Sequence, residues 1–342
     1  MQDNAYQNII RNLPSSAERK PLFVVGDVHG CAKELSDLIL KAKERVSDFQ
    51  LVLVGDLFTK GPDPVGVFDI IQEHQALCIK GNHDWALWAS ILQAQKKGPQ
   101  SLPEHTQQTL HLIRYHKRAI FDLLSALPHV FTTEIVPAKL RKGWESSYPA
   151  IIVHAGIDPI KGMIATTERM MLTARYLRWE VTPAGRKLVL VPSGHRAEVL
   201  SNRLQSQETK NHADGIVPHN LAYAPSSAVS APAKVANTLS EAPAPRVIGS
   251  SDPKERFRWH ELYKGPELVL FGHDAKQGLF RKTLNSGRPI CVGLDTGCTY
   301  GQTLTGYFPE FDDAIQVAAR RKYFDLIRNV ILLKSITPRV AV

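Results

Sequence analysis

The sequence predicts an α/β fold in which an early parallel sheet carries a second, mixed sheet packed against it. Three observations predict this. Apolar runs alternate with helical patterns early in the chain, apolar runs later follow one another with little helix between them, and five runs stop abruptly at glycine beside a polar side chain. In open α/β sheets ligands bind beyond the carboxyl ends of strands, so those five endings are the first place to look for chemistry.

The first run is "FVVGDVHG" at 23–30. Residues two apart on a strand face the same way, so Asp27 and His29 can aim at one point beyond its end, as a metal ion requires. The helical pattern over 31–46 then sets Leu35, Leu38, Ile39 and Ala42 on one face. "LVLVGDLFTKGP" at 51–62 repeats the design and ends at Gly55-Asp56; a helix starts after proline within 61–74. "ALCIKGNHD" at 76–84 ends at Gly81-Asn82-His83-Asp84. A Trp-bearing helix follows over "DWALWASILQAQ", and another around 109–127. Trp85, Trp88, His111 and His116 fall at helical spacing and read as packing or solvated faces.

The second half is richer in strands. "HVFTTEIV", "AIIVHAG" ending at His154, "ELVLFGHD" ending at His273, "PICVGLDTG" and "TLTGYF" read as the second sheet. Between Arg196 and Arg256 the chain turns polar, with an Ala/Pro/Ser-rich middle. This reads as a mobile insertion over 200–253 inside a single domain spanning 20–335, with 1–19 as an N-terminal extension. An interdomain linker fits less well, because His273 lies beyond the segment and must return to the same site. His195, His212 and His219 in or near it are assigned no role.

A 342-residue chain with 43% apolar residues can bury a large core. Its 42 basic against 33 acidic residues give a net charge of +9, which favours an anionic partner without choosing among phosphorylated substrate, nucleic acid and polyphosphate. The four cysteines have neither zinc-ribbon spacing nor the density of a disulfide scaffold, so a reducing compartment is expected. The N-terminal residues lack the apolar core of a secretory signal, and no run reaches the roughly 18–20 apolar residues needed to span a bilayer. The C-terminal "RVAV" is no recognised address. The cytoplasm is the default expectation, an organellar leader staying open.

The ordered set GDVHG, GDLFTKG, GNHD, HAG and GHD resembles the calcineurin-like metallophosphoesterases of the phosphoprotein phosphatase superfamily, over about 22–310 apart from the insertion. The second motif departs from the protein-phosphatase pattern GD-x-x-DRG: Thr59 stands for the second Asp and Lys60 for Arg. That form is similar to the ApaH-like phosphatases, as are the stretches 259–274 and 293–306. The resemblance implies a metallophosphoesterase β-sandwich of two mixed sheets flanked by helices. It implies two divalent ions (Mn, Fe, Zn, Co or Mg), one held by Asp27, His29 and Asp56, the other by Asp56, Asn82, His154 and His273, with Asp56 bridging. The mixed oxygen and imidazole set suits such ions. His83 would protonate the leaving oxygen. Lys60, Arg175 and Tyr300 would line the phosphate site, with Arg169 and Arg178 as rivals to Arg175. Cys31 follows the first motif with no paired base in view.

The activity so implied is hydrolysis of a phosphoanhydride, with a dinucleoside polyphosphate, the triphosphate bridge of capped mRNA or inorganic polyphosphate as substrate. Phosphoserine or phosphothreonine hydrolysis is the alternative within the fold, and a catalytically silent binder of nucleic acid or phosphoprotein the alternative of another class. Thr59 favours the anhydrides, since it brings no carboxylate to support an imidazolium at His83, unless another carboxylate such as Asp84 substitutes. The partner is therefore a polyphosphorylated anion, capped RNA among the candidates, with no membrane and no obligate protein partner evident.

Overall fold

Strands β2 (Leu22–Val25), β3 (Gln50–Leu53) and β4 (Leu77–Cys78) run parallel, side by side, in a computed structural model that describes residues 9–183, 185–191 and 256–324. They are continuous apolar runs because both faces are covered. Phe23, Val25, Leu51 and Leu53 face a layer of helices, whereas Leu22, Val24, Val52 and Val54 face the other sheet. The helix layer comprises α1 (Ala32–Lys43), α2 (Pro64–Glu73), α3 (Asn82–Lys97), α4 (Glu104–Leu112) and α5 (Lys117–Ala126). Asp63 caps α2 by accepting from Gly66 N, and Pro64 takes the first helical position, where its missing N–H costs nothing.

The single helix expected around 109–127 is two, α4 and α5. Its apolar stripe runs through Leu110 and Ile113, resumes at Ile120 and Leu124, and has nothing to bury over Arg114–Lys117, where the chain breaks.

The second sheet has the order β1-β5-β6-β10-β12-β11, mixing parallel and antiparallel neighbours. Its strands are β1 (Ile10–Asn12), β5 (Val130–Ile135), β6 (Tyr148–Val153), β10 (Leu268–Phe271), β11 (Phe280–Thr283) and β12 (Pro289–Gly293). Phe131, Ile152, Leu270, Val292 and Leu294 interlock with the inner face of the first sheet, forming the sandwich core. Residues 10–12, inside the stretch read as an N-terminal extension, supply an edge strand of this sheet.

One assignment is corrected. "TLTGYF" forms β13 (Thr303–Phe308), which pairs antiparallel with β2 and, with β14 (Asp313–Ala318), completes the first sheet rather than the second. Gly306 explains the fit, since a Cβ there would overlap the Phe23 ring. A further small sheet, unforeseen from sequence, joins β7 (Tyr176–Thr182), β8 (Gly185–Val191) and β9 (Phe257–Arg258). The expected insertion over 200–253 lies outside the described residues. Among those residues no helix is long and apolar enough to cross a membrane.

Candidate metal centre

The loops following β2, β3, β4, β6 and β10 bring Asp27, His29, Asp56, Asn82, His154 and His273 to one end of the sandwich. Asp27, His29, Asp56 and His154 form a buried floor; Asn82, His83 and His273 stand half-buried above it. One ligand atom each from Asp27, His29 and Asp56 lies within 4.8 Å of the others. His29 Nε2 is 3.5 Å from Asp56 Oδ2, and His154 Nε2 is 3.5 Å from Asp56 Oδ1, so the two oxygens of one carboxylate face opposite halves of the site. In the second half Asn82 Oδ1 stands 2.9 Å from His154 Nε2 and 3.0 Å from His273 Nδ1.

Backbone strain is concentrated here. His29, Asp56, Lys60 and His273 adopt φ of 48°, 54°, 71° and 69°, a left-handed conformation costing non-glycine residues roughly 1–3 kcal/mol each. The turns that aim these side chains inward are held against that cost by the packed strands behind them.

The donor set fits divalent cations. His154 Nδ1 lies 2.9 Å from Val54 O and must donate, because a carbonyl only accepts; the neutral ring therefore presents its Nε2 lone pair toward Asn82 Oδ1. Two acceptors so placed are reconciled by a cation between them. Burial lowers all three imidazoles: His29 falls well below its ordinary value, helped by Lys60; His154 falls too; His273 falls well below, helped by His154 and Arg175. Neutral rings are the ligand form. Burial, with Asp295 and Asp56 nearby, pushes Asp27 well above the usual carboxylate range. Burial opposes the Asp56 charge as well, yet His154, His83, His29 and Lys60 outweigh it and hold Asp56 low. Divalent charge would let these carboxylates ionise together.

At the mouth, the His83 ring meets the His29 ring edge-on at 5.2 Å, and its backbone N–H donates to Asp56 Oδ1 at 2.9 Å. Lys60 Nζ lies 2.9 Å from His29 Nε2, the lone pair a cation would take, and 5.7 Å from the exposed Tyr300 ring. Arg175 sits in the loop after α6 (Glu168–Thr173), not on a helix; its Nη2 donates to His273 O at 2.6 Å and its Nε faces Asp274 Oδ1 at 3.1 Å. Its rival Arg178 is turned to Glu180 on β7. The motif comparison sets Thr59 against His83; its hydroxyl instead lies 3.4 Å from His29 Nδ1.

Three carboxylates take roles that the sequence did not assign to them. Asp84 is buried and accepts from the N–H groups of Asp56, Leu57 and Gly81, locking the second and third motifs together. Burial and Asp56 push it up to about 7 against those three donors. Asp274 receives both Arg175 and Arg258. Asp295, beside Asp27, follows β12 and is pushed up to about 6 by burial. Its signal was an apolar run ending in glycine and a carboxylate, the pattern used for the other strands.

Gly272 tests this packing. A Cβ on it would collide with Asp27 Oδ1, although its backbone is unstrained. Gly272→Ala is expected to lower cation affinity about 10–100-fold, the range for disturbing a group that supports a ligand. Calorimetric titration of the folded variant checks it; unchanged affinity would remove Asp27 from the centre.

A sandwich with buried carboxylates and imidazoles gathered on its strand ends defines a metal-dependent hydrolase. The chain belongs to the calcineurin-like phosphoesterase family, whose model matches residues 20–277, a family that uses a dinuclear metal centre. It is 26% identical over 301 residues to a symmetrical bis(5'-nucleosyl)-tetraphosphatase of Coxiella burnetii, covering 83% of this chain and 87% of that one. Serine/threonine-protein phosphatase 1 of Salmonella typhimurium is 35% identical over 63 residues, 18% of this chain and 29% of the relative. A crystal structure described as a "putative diadenosine tetraphosphatase" matches with a TM-score of 0.53 at 25% identity, covering 91% of this chain and 98% of that one.

Proposed function

We propose that the chain hydrolyses dinucleoside polyphosphates, cutting a phosphoanhydride bond at a centre of two divalent ions held by Asp27, His29, Asp56, Asn82, His154 and His273. The observation that carries this reading is the placement of the two mouth cations. Lys60 stands against His29 on one half of the centre, and Arg175 against His273 on the other. A run of phosphates laid across the centre meets positive charge at both ends, which a lone phosphomonoester does not need. Similarity to a tetraphosphatase along most of both chains supports the same substrate class.

When bound, two cations of this kind polarise the phosphoryl oxygens and lower the pKa of a water toward neutrality. The protein's share is positioning. Arg175, tied by Asp274, offers a planar fork to phosphate oxygens, and Lys60 a compact charge. We assign His83 the role of protonating the departing oxygen, its ring lying at the mouth 5.2 Å from that of His29. Water oxygen bonds to phosphorus and gives up a proton to solvent as the bridging P–O bond breaks, and the bridging oxygen leaves on a phosphate. That group has a second pKa of about 6 and departs near neutral pH with little help.

The test is kcat/KM for diadenosine tetraphosphate, capped RNA, inorganic polyphosphate and a phosphoserine peptide, measured with each candidate metal. Diadenosine tetraphosphate is expected to lead. Capped RNA or polyphosphate ahead of it would reassign the substrate within the anhydrides. A leading phosphopeptide would overturn the anhydride reading.

A further inference from the structure

We propose that Cys31, Glu34 and Cys298 form a separate binding site for one thiophilic divalent cation, with Zn²⁺ as its fitting occupant, behind the catalytic centre. One ligand atom from each lies within 4.8 Å of the others, and the three residues are 0%, 1% and 1% exposed. Tetrahedral Zn²⁺ with sulfur at about 2.3 Å needs sulfurs about 3.8 Å apart, a spacing inside the 4.8 Å that bounds this cluster.

One feature beyond proximity points to a ligand. Glu34 Oε1 accepts from Tyr323 OH at 2.6 Å and from Arg320 N at 2.9 Å, whereas its Oε2 is buried with no hydrogen-bond partner. A buried carboxylate oxygen without a donor is costly, and a cation is the partner that removes the cost. Cys31 precedes the first turn of α1 without capping it, and its thiol donates weakly to His29 O at 3.9 Å, a bond it would give up on taking a cation.

The site is distinct from the dinuclear centre in donors as well as place. No thiol belongs to the proposed catalytic set. Thiolates select Zn²⁺ over Mg²⁺ or Mn²⁺, and each sulfur gives its proton to solvent as it takes the metal. The segment after β14 covers the cluster: Tyr323 N donates to Thr299 O, and its hydroxyl donates to Glu34 Oε1. Cys31 directly follows the first motif, and Cys298 lies three residues beyond Asp295, so a cation here would staple the two loops that bring Asp27 and Asp295 together.

The reduced full-length protein, stripped of metal, is titrated with Co²⁺ and followed by absorption and by metal analysis. Because the catalytic donors are oxygen and nitrogen, a near-ultraviolet thiolate-to-cobalt charge-transfer band reports this cluster alone. The wild type is expected to show the band and a third equivalent of metal per chain, and Cys298→Ser to lose both while keeping two equivalents. Glu34→Gln is expected to weaken the third equivalent. With Mn²⁺ the wild type should stop at two. Absence of the band from saturated wild type overturns the proposal even if the variants fail to fold, and so does a band that survives Cys298→Ser.

Discussion

Asp56→Asn is expected to empty both halves of the metal centre and to abolish hydrolysis while leaving the fold in place. Asp56 is the side chain whose two oxygens face His29 and His154 at 3.5 Å each, so both candidate cations depend on it. Asparagine is suited to the test. It tolerates the left-handed φ of 54° better than other replacements, and its carbonyl can still accept from His83 N. What disappears is the charge, and an amide N–H must then face a neutral imidazole or a cation. Removing one partner from a buried charge pair costs about 3–5 kcal/mol, a loss of roughly 10²–10⁴ in cation affinity. Stability supplies the control. The metal-free variant is relieved of the Asp27 repulsion but loses the attractions of His154, His83, His29 and Lys60 to Asp56, so each protein is compared with its own metal-free form. The wild type should gain stability on metal addition, by an amount that grows with the logarithm of metal concentration, and the variant should not. Metal analysis and thermal melts with and without Mn²⁺ read both effects. Undiminished metal content in the variant would remove Asp56 as the bridge.

The strand endings carried most of the site in plain view. Parallel strands buried on both faces must be apolar to their last residue, so the first glycine and charge after each run mark where the backbone leaves the sandwich. Asp27, Asp56, His154 and His273 were legible for that reason, and Asp295 obeyed the same pattern without being assigned. Asp84 was harder to see. Its carboxylate serves three backbone N–H groups from two loops, and no spacing in the sequence announces which distant amides a side chain will satisfy. Arg175 stood among three arginines in one stretch; only the turn between α6 and β7 sends it toward His273. The strand β13 escaped for a topological reason. An antiparallel partner arriving nearly 280 residues after β2 leaves no local trace, and its place depends on Gly306 admitting the Phe23 ring.

His83→Asn should separate ester from anhydride chemistry. His83 stands half-buried at the mouth, its ring edge-on to His29 and its backbone tied to Asp56, so replacing the side chain leaves the N–H that helps hold the bridge. If the ring protonates the departing oxygen, its removal matters in proportion to how badly that oxygen needs a proton. A serine alkoxide needs one, and loss of a positioned acid costs typically 10²–10⁴ in rate. A phosphate leaving group, with its second pKa of about 6, is largely ionised near neutral pH and should lose no more than about tenfold. Diadenosine tetraphosphate and a phosphoserine peptide, each assayed with wild type and variant at matched metal occupancy, give the two ratios. The peptide ratio is expected to exceed the tetraphosphate ratio at least tenfold. Equal losses on both substrates would mean that His83 supports the metal centre rather than the leaving group. A larger loss on the tetraphosphate would mean that it binds the polyphosphate itself.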